Sequence, residues 1–507
     1  MSVIAPKKLS LKDRYRILTR GLDWTTTYQE PAKVFPHAEF EGIKIRDWDG
    51  FVDPFRLTMD SYWKYQAEKE RKLYAVLDSF QQNNGQTAIT DGRYVNVLKI
   101  FLTAITPGEY QAHRGFAMLG RQMPNAGLRI AAQMQSLDEL RHAQTQIHSC
   151  SHYNKYFDGL HSFSYQHDRV WYLSVVKSFF DDARTSGPFE FLIAIGFSFE
   201  YVLTNLLFVP FMSGAAYNGD LSTVTFGFSA QSDESRHMTL GLEAIKFVLE
   251  QHEDNAAIVQ KWIDKWFWRG YRILAILAMM MDYMLPKRIM PWKDAWEIYF
   301  NEAGGALFKD LERYGIKMPN TAEVANKESF RLSTETWLTF YQLSHASGFH
   351  AWLPSDEELA WLAEAYGPEW ERLYLPRFKF FRELEAKGEH YYNPSLPQLC
   401  QVCQIPMFFT EPDDPTKICF RDTQYEGERY HFCSDGCQHI FENEPEKYVQ
   451  AWLPVHQVFQ GNCGGGTLDD VRKFWGVEDG EDNYDYVGSP DEKMWKEWQA
   501  DRLKVGS

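Results

Sequence analysis

Two stretches of this chain place carboxylates and a histidine in the same order. "LDELRHAQ" holds Asp138, Glu139, Arg141 and His142; further along, "SDESRHMT" holds Asp233, Glu234, Arg236 and His237. Residues three apart share a helix face, so each Glu-x-x-His can aim a carboxylate and an imidazole at one point. Two donors are too few to hold a metal ion, and the remaining donors must come from neighbouring helices. An isolated carboxylate precedes each motif: Glu109 comes before Glu139, and Glu200 comes before Glu234 at a similar spacing. Such separations suit one helix, a turn and a return along an antiparallel partner. Each half of the pattern then reads Glu, one helical hairpin, Glu-x-x-His, and the total is four Glu and two His.

That inventory is the one used by ferritin-like di-iron and di-manganese carboxylate bundles. Hard carboxylates with one imidazole per ion and no thiolate suit iron or manganese. Two ions sharing carboxylates can bind O2 between them. The flanking residues agree. Gln135 and Gln146 lie four before Glu139 and four after His142; Gln231 and Gly241 flank Glu234 and His237 similarly. Thr204 is one turn beyond Glu200. Asp138 and Asp233 are candidates to accept an imidazole N–H and fix its tautomer, with Arg141 and Arg236 to neutralise them. A lone Glu-x-x-His is usually surface decoration. Two copies of D-E-x-R-H, each behind an apolar helix with an isolated Glu, are much rarer.

The elements that must carry these residues are helices. Apolar periodicity predicts them near 91–120, 126–157, 165–183, 188–211, 221–251 and 256–285, then at 292–313, 320–345 and 355–388. Pro286 and Pro291 interrupt the pattern. We divide the chain into an N-terminal segment packing on the bundle (1–90), a ferritin-like di-iron bundle (91–290), an additional helical region (291–394), a Cys-rich module (395–450) and a C-terminal tail (451–507). The expected class is mostly α, with a small C-terminal metal module.

Composition bounds the function. The chain has 507 residues, 44% hydrophobic and 24% charged, as a globular protein does. A formal net charge of −16 argues against nucleic acid or an anionic membrane as the main partner. The N-terminus "MSVIAPKKLSLKDRYR" has no apolar signal region, so cytoplasm is expected. The run Phe191 to Met212 is long enough to span a membrane. Its one charge, Glu200, would be costly at mid-span, and a helix buried all round is the favoured reading. No G-x-G-x-x-G opens a helix, and "GNCGGGT" lacks the Lys of a P-loop, so electrons must come from another protein.

At the six donors the chain resembles the large (α) oxygenase subunit of the bacterial multicomponent monooxygenases, phenol hydroxylases above all. The resemblance extends to "RYRILTRGLDWTTTY" near the N-terminus. It implies iron on Glu109, Glu139, His142, Glu200, Glu234 and His237. It implies O2 activation at two Fe(II) ions and attack on an aromatic ring, phenol and methylphenols giving catechols. Thr204 and Asn205 match the family's Thr-Asn, with Thr204 assisting proton delivery. A substrate pocket is expected from Ile105, Ala112, Gln146, Phe199 and Phe208. The implied partners are β and γ hydroxylase subunits in a dimer of heterotrimers, a small regulatory protein, and a separate reductase carrying FAD and [2Fe-2S] and oxidising NADH. The alternatives are a toluene/benzene monooxygenase α subunit and, more distantly, a ferroxidase or iron-storage bundle.

The late cysteines form a second constellation. Cys400-x2-Cys403 and Cys433-x3-Cys437, two close pairs parted by a longer spacer, can close a tetrahedral thiolate site for structural zinc. "ERYHFCSDGCQHIFENEPEKYV" resembles small treble-clef-like modules with a YHFCS signature. His431 and His439 are alternative ligands, and Cys419 could compete.

Overall fold

The computed structural model describes residues 10–19, 41–157, 171–286, 288–343, 351–389 and 398–451, with isolated positions beyond these. Most of the predicted tail, 451–507, and the start of the helix expected at 165–183 lie outside the described residues.

After α1 (Leu11–Thr19) and α2 (Met59–Gln82) come two long helical hairpins. The first joins α3 (Gly92–Gln122) to α4 (Ala126–Tyr153). Asn125 caps α4, its side chain accepting from Leu128 N–H at 2.6 Å, which satisfies one of the helix's orphan donors. Glu109 sits as far before the end of α3 as Glu139 sits after the start of α4. With the same rise per residue in both helices, the two therefore face each other. The second hairpin joins α6 (Pro188–Tyr217) to α7 (Leu221–Gln251). Asp220 caps α7, accepting from Thr223 N–H and from the hydroxyls of Tyr94 and Tyr153. It thereby ties the second hairpin to the first.

The α3–α4 and α6–α7 hairpins pack into a four-helix bundle. α2 lies along α4 and α7 on one side. α5 (Ser174–Thr185) and α8 (Asn255–Met279) cover the other. α6 is long and apolar enough to cross a membrane, yet 72% of its apolar window is buried, as in a core helix. α6 and α7 touch backbone to backbone: a Cβ added at Gly241 would lie 2.3 Å from the Gly196 carbonyl oxygen.

Several boundaries differ from the periodicity. The helix expected at 188–211 runs on to Tyr217 through Pro210 and is π-wound over Leu192–Phe199, directly before Glu200. The helix expected at 165–183 is observed from Ser174 to Thr185. The one expected at 256–285 turns π-helical at Met280–Met284. Beyond it, α9 (Trp292–Trp296) continues through a π stretch into α10 (Gly305–Leu311), and α11 spans Ala322–Leu343. The expected 355–388 helix is two, α12 (Asp356–Tyr366) and α13 (Pro368–Ala386). Between them Gly367 has φ +83°, a conformation that ends a helix, and Pro368 starts the next at its first position.

The Cys-rich module holds an antiparallel hairpin, β1 (Arg421–Tyr425) and β2 (Glu428–Phe432), then α14 (Asp435–Asn443). Glu426 and Gly427 both have positive φ, as a two-residue hairpin turn requires. The module sits on α8. Arg269 donates to Val402 O (2.9 Å) and Trp268 to Ser434 Oγ (3.2 Å), while Ser178 of α5 donates to Cys403 O (3.0 Å).

Candidate dimetal site

Six side chains from four helices converge inside the bundle: Glu109 from α3, Glu139 and His142 from α4, Glu200 from α6, Glu234 and His237 from α7. One group of donor atoms within 4.8 Å of each other is Glu109, Glu139, His142 and Glu234; a second is Glu139, Glu200 and His237. Glu139 presents Oε2 to His142 Nδ1 (3.5 Å) and Oε1 to His237 Nδ1 (3.2 Å). Glu234 likewise sets one oxygen 3.6 Å from each ring. These two carboxylates therefore stand between two centres. Glu109 serves the His142 side alone, at 3.5 Å, and Glu200 the His237 side. Gln135 holds Glu200 with hydrogen bonds of 3.0 and 3.1 Å and reaches Glu139 at 3.3 Å.

The imidazoles are oriented from behind, and crosswise. His142 Nε2 lies 3.2 Å from Asp233 Oδ2, and His237 Nε2 lies 3.3 Å from Asp138 Oδ2. Each aspartate thus serves the histidine of the other motif. α2, which motif reading passed over, braces both aspartates. Gln66 donates to Asp138 at 2.7 Å and to Asp233 at 3.0 Å; Tyr62 donates to Asp138 at 2.8 Å; Lys69 pairs with Asp233. Arg141 pairs with Asp138 (2.9 Å), Asp233 (3.4 Å) and Glu70, and Arg236 pairs with Asp138. α2 belongs to the mixed, polar N-terminal segment expected to pack on the bundle, and no residue of it is expected at the site from the sequence. Its Trp/Tyr-rich helical period is the signal it gives, and Tyr62 and Gln66, four apart on its buried face with Leu73 and Leu77, are the residues that reach the aspartates.

The donor set fits two divalent cations on two grounds. A carboxylate only accepts, so Asp233 and Asp138 take the Nε2–H of each ring and direct its Nδ1 to the four glutamates, where a neutral imidazole would offer its lone pair to a cation. Both Nδ1 atoms are buried without a hydrogen-bond partner among the described residues and face carboxylate oxygens. Lone pairs aimed at one another repel unless positive charge lies between them. Four carboxylates also match the charge of two divalent ions.

The titration of the cluster points the same way. Burial pushes Glu109 up to about 8, partly opposed by His142. Burial, with Glu139 and Glu234 beside it, drives Glu200 well above the carboxylate range. Burial alone would depress His237, yet Glu139 and Glu234 hold it at about 9. Burial would likewise raise Glu139, but His237 and His142 outweigh it and keep its carboxyl low. Without a metal, protons on Glu109, Glu200, His142 and His237 supply the missing positive charge, and a bound cation would displace them.

Beside the site lies a small cavity of about 40 Å³. Ile105, Ala112, Phe199, Phe208 and Thr204 line it, as do Gly108, Phe180, Ile195 and Leu207, which sequence reasoning missed. Thr204 Oγ1 donates to Phe199 O at 3.1 Å. Gln146 is not among the lining residues and instead accepts from Thr106. Asn205 is half-buried and does not line the cavity either.

In the second constellation Cys400, Cys403, Cys433 and Cys437 are all buried, with sulfurs within 4.8 Å. Cys403 and Cys433 are 3.5 Å apart, Cys433 and Cys437 3.7 Å. Four thiolates about 2.3 Å from one zinc would be about 3.8 Å apart. Cys419, His431 and His439 are not in this group.

A doubled Glu, Glu-x-x-His bundle with crossed aspartates defines a class, and comparison with known proteins names it. Residues 24–252 match the family model for methane/phenol/alkene hydroxylases, and 409–452 match a YHS domain. The chain belongs to that hydroxylase family. It is 64% identical to the oxygenase component DmpN of phenol 2-monooxygenase from Pseudomonas sp. (strain CF600), over 96% of this chain and 95% of that protein. It is 23% identical to the component A alpha chain of methane monooxygenase from Methylococcus capsulatus (Bath), over 89% and 86%. The crystal structure of xenon-pressurised phenol hydroxylase from Pseudomonas sp. OX1 superposes with a TM-score of 0.92 at 63% identity, covering 97% of this chain and all of that one.

Proposed function

We propose that this chain is the large hydroxylase subunit of an NADH-dependent multicomponent monooxygenase that converts phenol and methylphenols to catechols. The carrying observation is that Glu139 and Glu234 each set one oxygen beside each imidazole, so both carboxylates would be available to two metal ions. The relative 64% identical over nearly the whole length is a phenol 2-monooxygenase component, which supports phenol as substrate and the ring position ortho to its hydroxyl.

Glu109 and His142 would hold one iron, Glu200 and His237 the other, with Glu139 and Glu234 between them. Bound there, the iron pair supplies O2 activation. The protein's own part is to fix and shield. Asp233 and Asp138 lock the imidazole tautomers, and α2 locks the aspartates. Ile105, Phe180, Phe199 and Phe208 form an apolar wall that suits a small aromatic and excludes water. Ala112, one turn after Glu109, keeps the wall beside Glu109 small where the ring would enter. Of Thr204 and Asn205, only Thr204 reaches the cavity wall, where its hydroxyl holds a transferable proton. Zinc on the four cysteines would be structural. FAD, [2Fe-2S] and the NADH site would belong to a separate reductase, with a regulatory protein and β and γ subunits completing a cytoplasmic complex.

The test is product analysis in the reconstituted system under 18O2. Catechol carrying one 18O, formed only with NADH, and two irons per chain in the wild type but not in Glu234→Ala or His142→Ala, are the expected results. Toluene strongly preferred over phenol, or para-hydroxylated phenol as main product, would move the chain to the toluene branch. Full iron in both variants would sink the ligand assignment.

A further inference from the structure

Beyond His142, α4 carries two more histidines. His148 and His152 are four apart, so their rings share a face. Their Nε2 atoms are 3.2 Å apart and the ring planes cross at 88°. Asp78 of α2 approaches from the side, Oδ1 3.8 Å from His148 Nε2. Tyr74, one turn before Asp78, packs edge-on against the His148 ring at 5.1 Å. His152 is 9% exposed, while the side chains of His148 and Asp78 are 32% and 53% exposed. The group is a notch with a buried floor and an open mouth.

We propose that Asp78, His148 and His152 form a site for one first-row divalent cation, which staples α2 to α4. Donors bound side by side on such an ion at about 2.0–2.1 Å stand about 3.0 Å apart at a right angle and about 3.4 Å at a tetrahedral one. The observed separation of the two Nε2 atoms, 3.2 Å, falls between. Two imidazoles and a carboxylate suit Zn2+, Ni2+ or Cu2+. Asp78 Oδ1 is 3.8 Å from His148 Nε2 but does not stand within 4.8 Å of both rings, so it has to swing toward His152, which a side-chain rotation of an exposed carboxylate provides. Burial, with His148 and Lys155 nearby, keeps His152 below its ordinary pKa, so the ring is neutral and ready to ligate at pH 7. Its Nδ1 has no hydrogen-bond partner among the described residues, so no competing polar contact turns the ring away.

The simpler account of the same pair is one hydrogen bond between neutral imidazoles. That bond requires neither Asp78 nor an ion, and the two accounts separate by experiment. An ion here would extend an existing clasp. Arg141 of α4 pairs with Glu70 of α2. His148 and Asp78 lie about two turns further along the same two helices. The staple would hold the helix that braces Asp138 and Asp233 against the helix that carries Glu139 and His142.

The experiment is equilibrium dialysis of the full chain, its iron and cysteine sites loaded, against micromolar Zn2+, counting zinc beyond that already bound. The wild type is expected to take up one further zinc per chain, with a higher Tm, and to release it as pH falls through the imidazole range, because protons compete for the ligands. His148→Ala should abolish the uptake and Asp78→Asn weaken it about tenfold. Both positions are exposed enough that the variants fold. No additional zinc across the micromolar range, or equal uptake in wild type and His148→Ala, would overturn the proposal.

Discussion

Replacing Gly241 by alanine places one methyl group against a backbone. The added Cβ would lie 2.3 Å from the Gly196 carbonyl oxygen, 2.7 Å from its carbon and 3.3 Å from its Cα. A side chain could swing away from such a contact; a helix backbone cannot. Relief therefore needs α6 and α7 to part by about 1 Å, and overpacking of this kind costs about 1–3 kcal/mol. The displacement falls where it does most harm. Gly196 is one turn from Glu200, and Gly241 is one turn from His237. A shift of about 1 Å between reacting groups can lower turnover about a hundredfold. The control is the other half of the contact. A Cβ at Gly196 meets Leu192 Cδ1 at 3.4 Å and the Gly241 Cα at 3.6 Å, ordinary contact distances. Gly241→Ala is expected to lower Tm, iron retention and catechol formation, while Gly196→Ala leaves all three near the wild type. Equal damage from the two substitutions, or none from Gly241→Ala, would refute the reasoning.

Other outcomes follow from the same coordinates. Burial pushes Asp282 up to about 6, only partly offset by hydrogen bonds from Ser333, Tyr366 and the Trp292 N–H. The folded protein then binds more protons than the unfolded one between about pH 3.8 and 6. Stability from this group is complete below that window and falls by up to about 3 kcal/mol as pH rises through it. Asp282→Asn should remove that slope from the Tm–pH profile; an unchanged difference from wild type across the window would count against it. Cys433→Ser is expected to lose zinc and open residues 398–451 to proteolysis, because structural zinc contributes directly to folding. Unchanged zinc in both Cys433→Ser and Cys400→Ser rejects the four-thiolate site. Ala112→Phe should fill the cavity beside Glu109 and reduce phenol turnover about a hundredfold at unchanged iron content; normal turnover would mean that the ring binds elsewhere.

What the sequence disclosed depended on locality. Glu-x-x-His spacing, cysteine spacing and apolar periodicity are short-range patterns, and each led to residues that lie together in the fold. The break at Gly367 was also written locally, as Gly-Pro, though helical periodicity on both sides concealed it. Contacts between distant segments left no such trace. Gln66 meets Asp138 and Asp233 across 72 and 167 residues, from a helix of the mixed, polar N-terminal segment. The Gly196–Gly241 contact is a backbone approach, and a glycine alone does not say what it approaches. Phe180, Ile195 and Leu207 line the cavity but look like every other apolar residue of a core.

The crossed pairing explains why the motif is written twice rather than varied. If each aspartate held its own histidine, each helix would build half a site unaided, and the halves could diverge. Here Asp138 of the first motif fixes His237 of the second, and Asp233 fixes His142. Neither imidazole has its tautomer set until both helices are in register, with the shared Glu139 and Glu234 between them. Gln66 makes the dependence explicit, since one amide nitrogen reaches both aspartates. A displacement of α4 against α7 would loosen both histidines together, so the two halves of the donor set stand or fall as a unit. The crossed geometry therefore needs Asp, Glu and His at the same spacing on both helices.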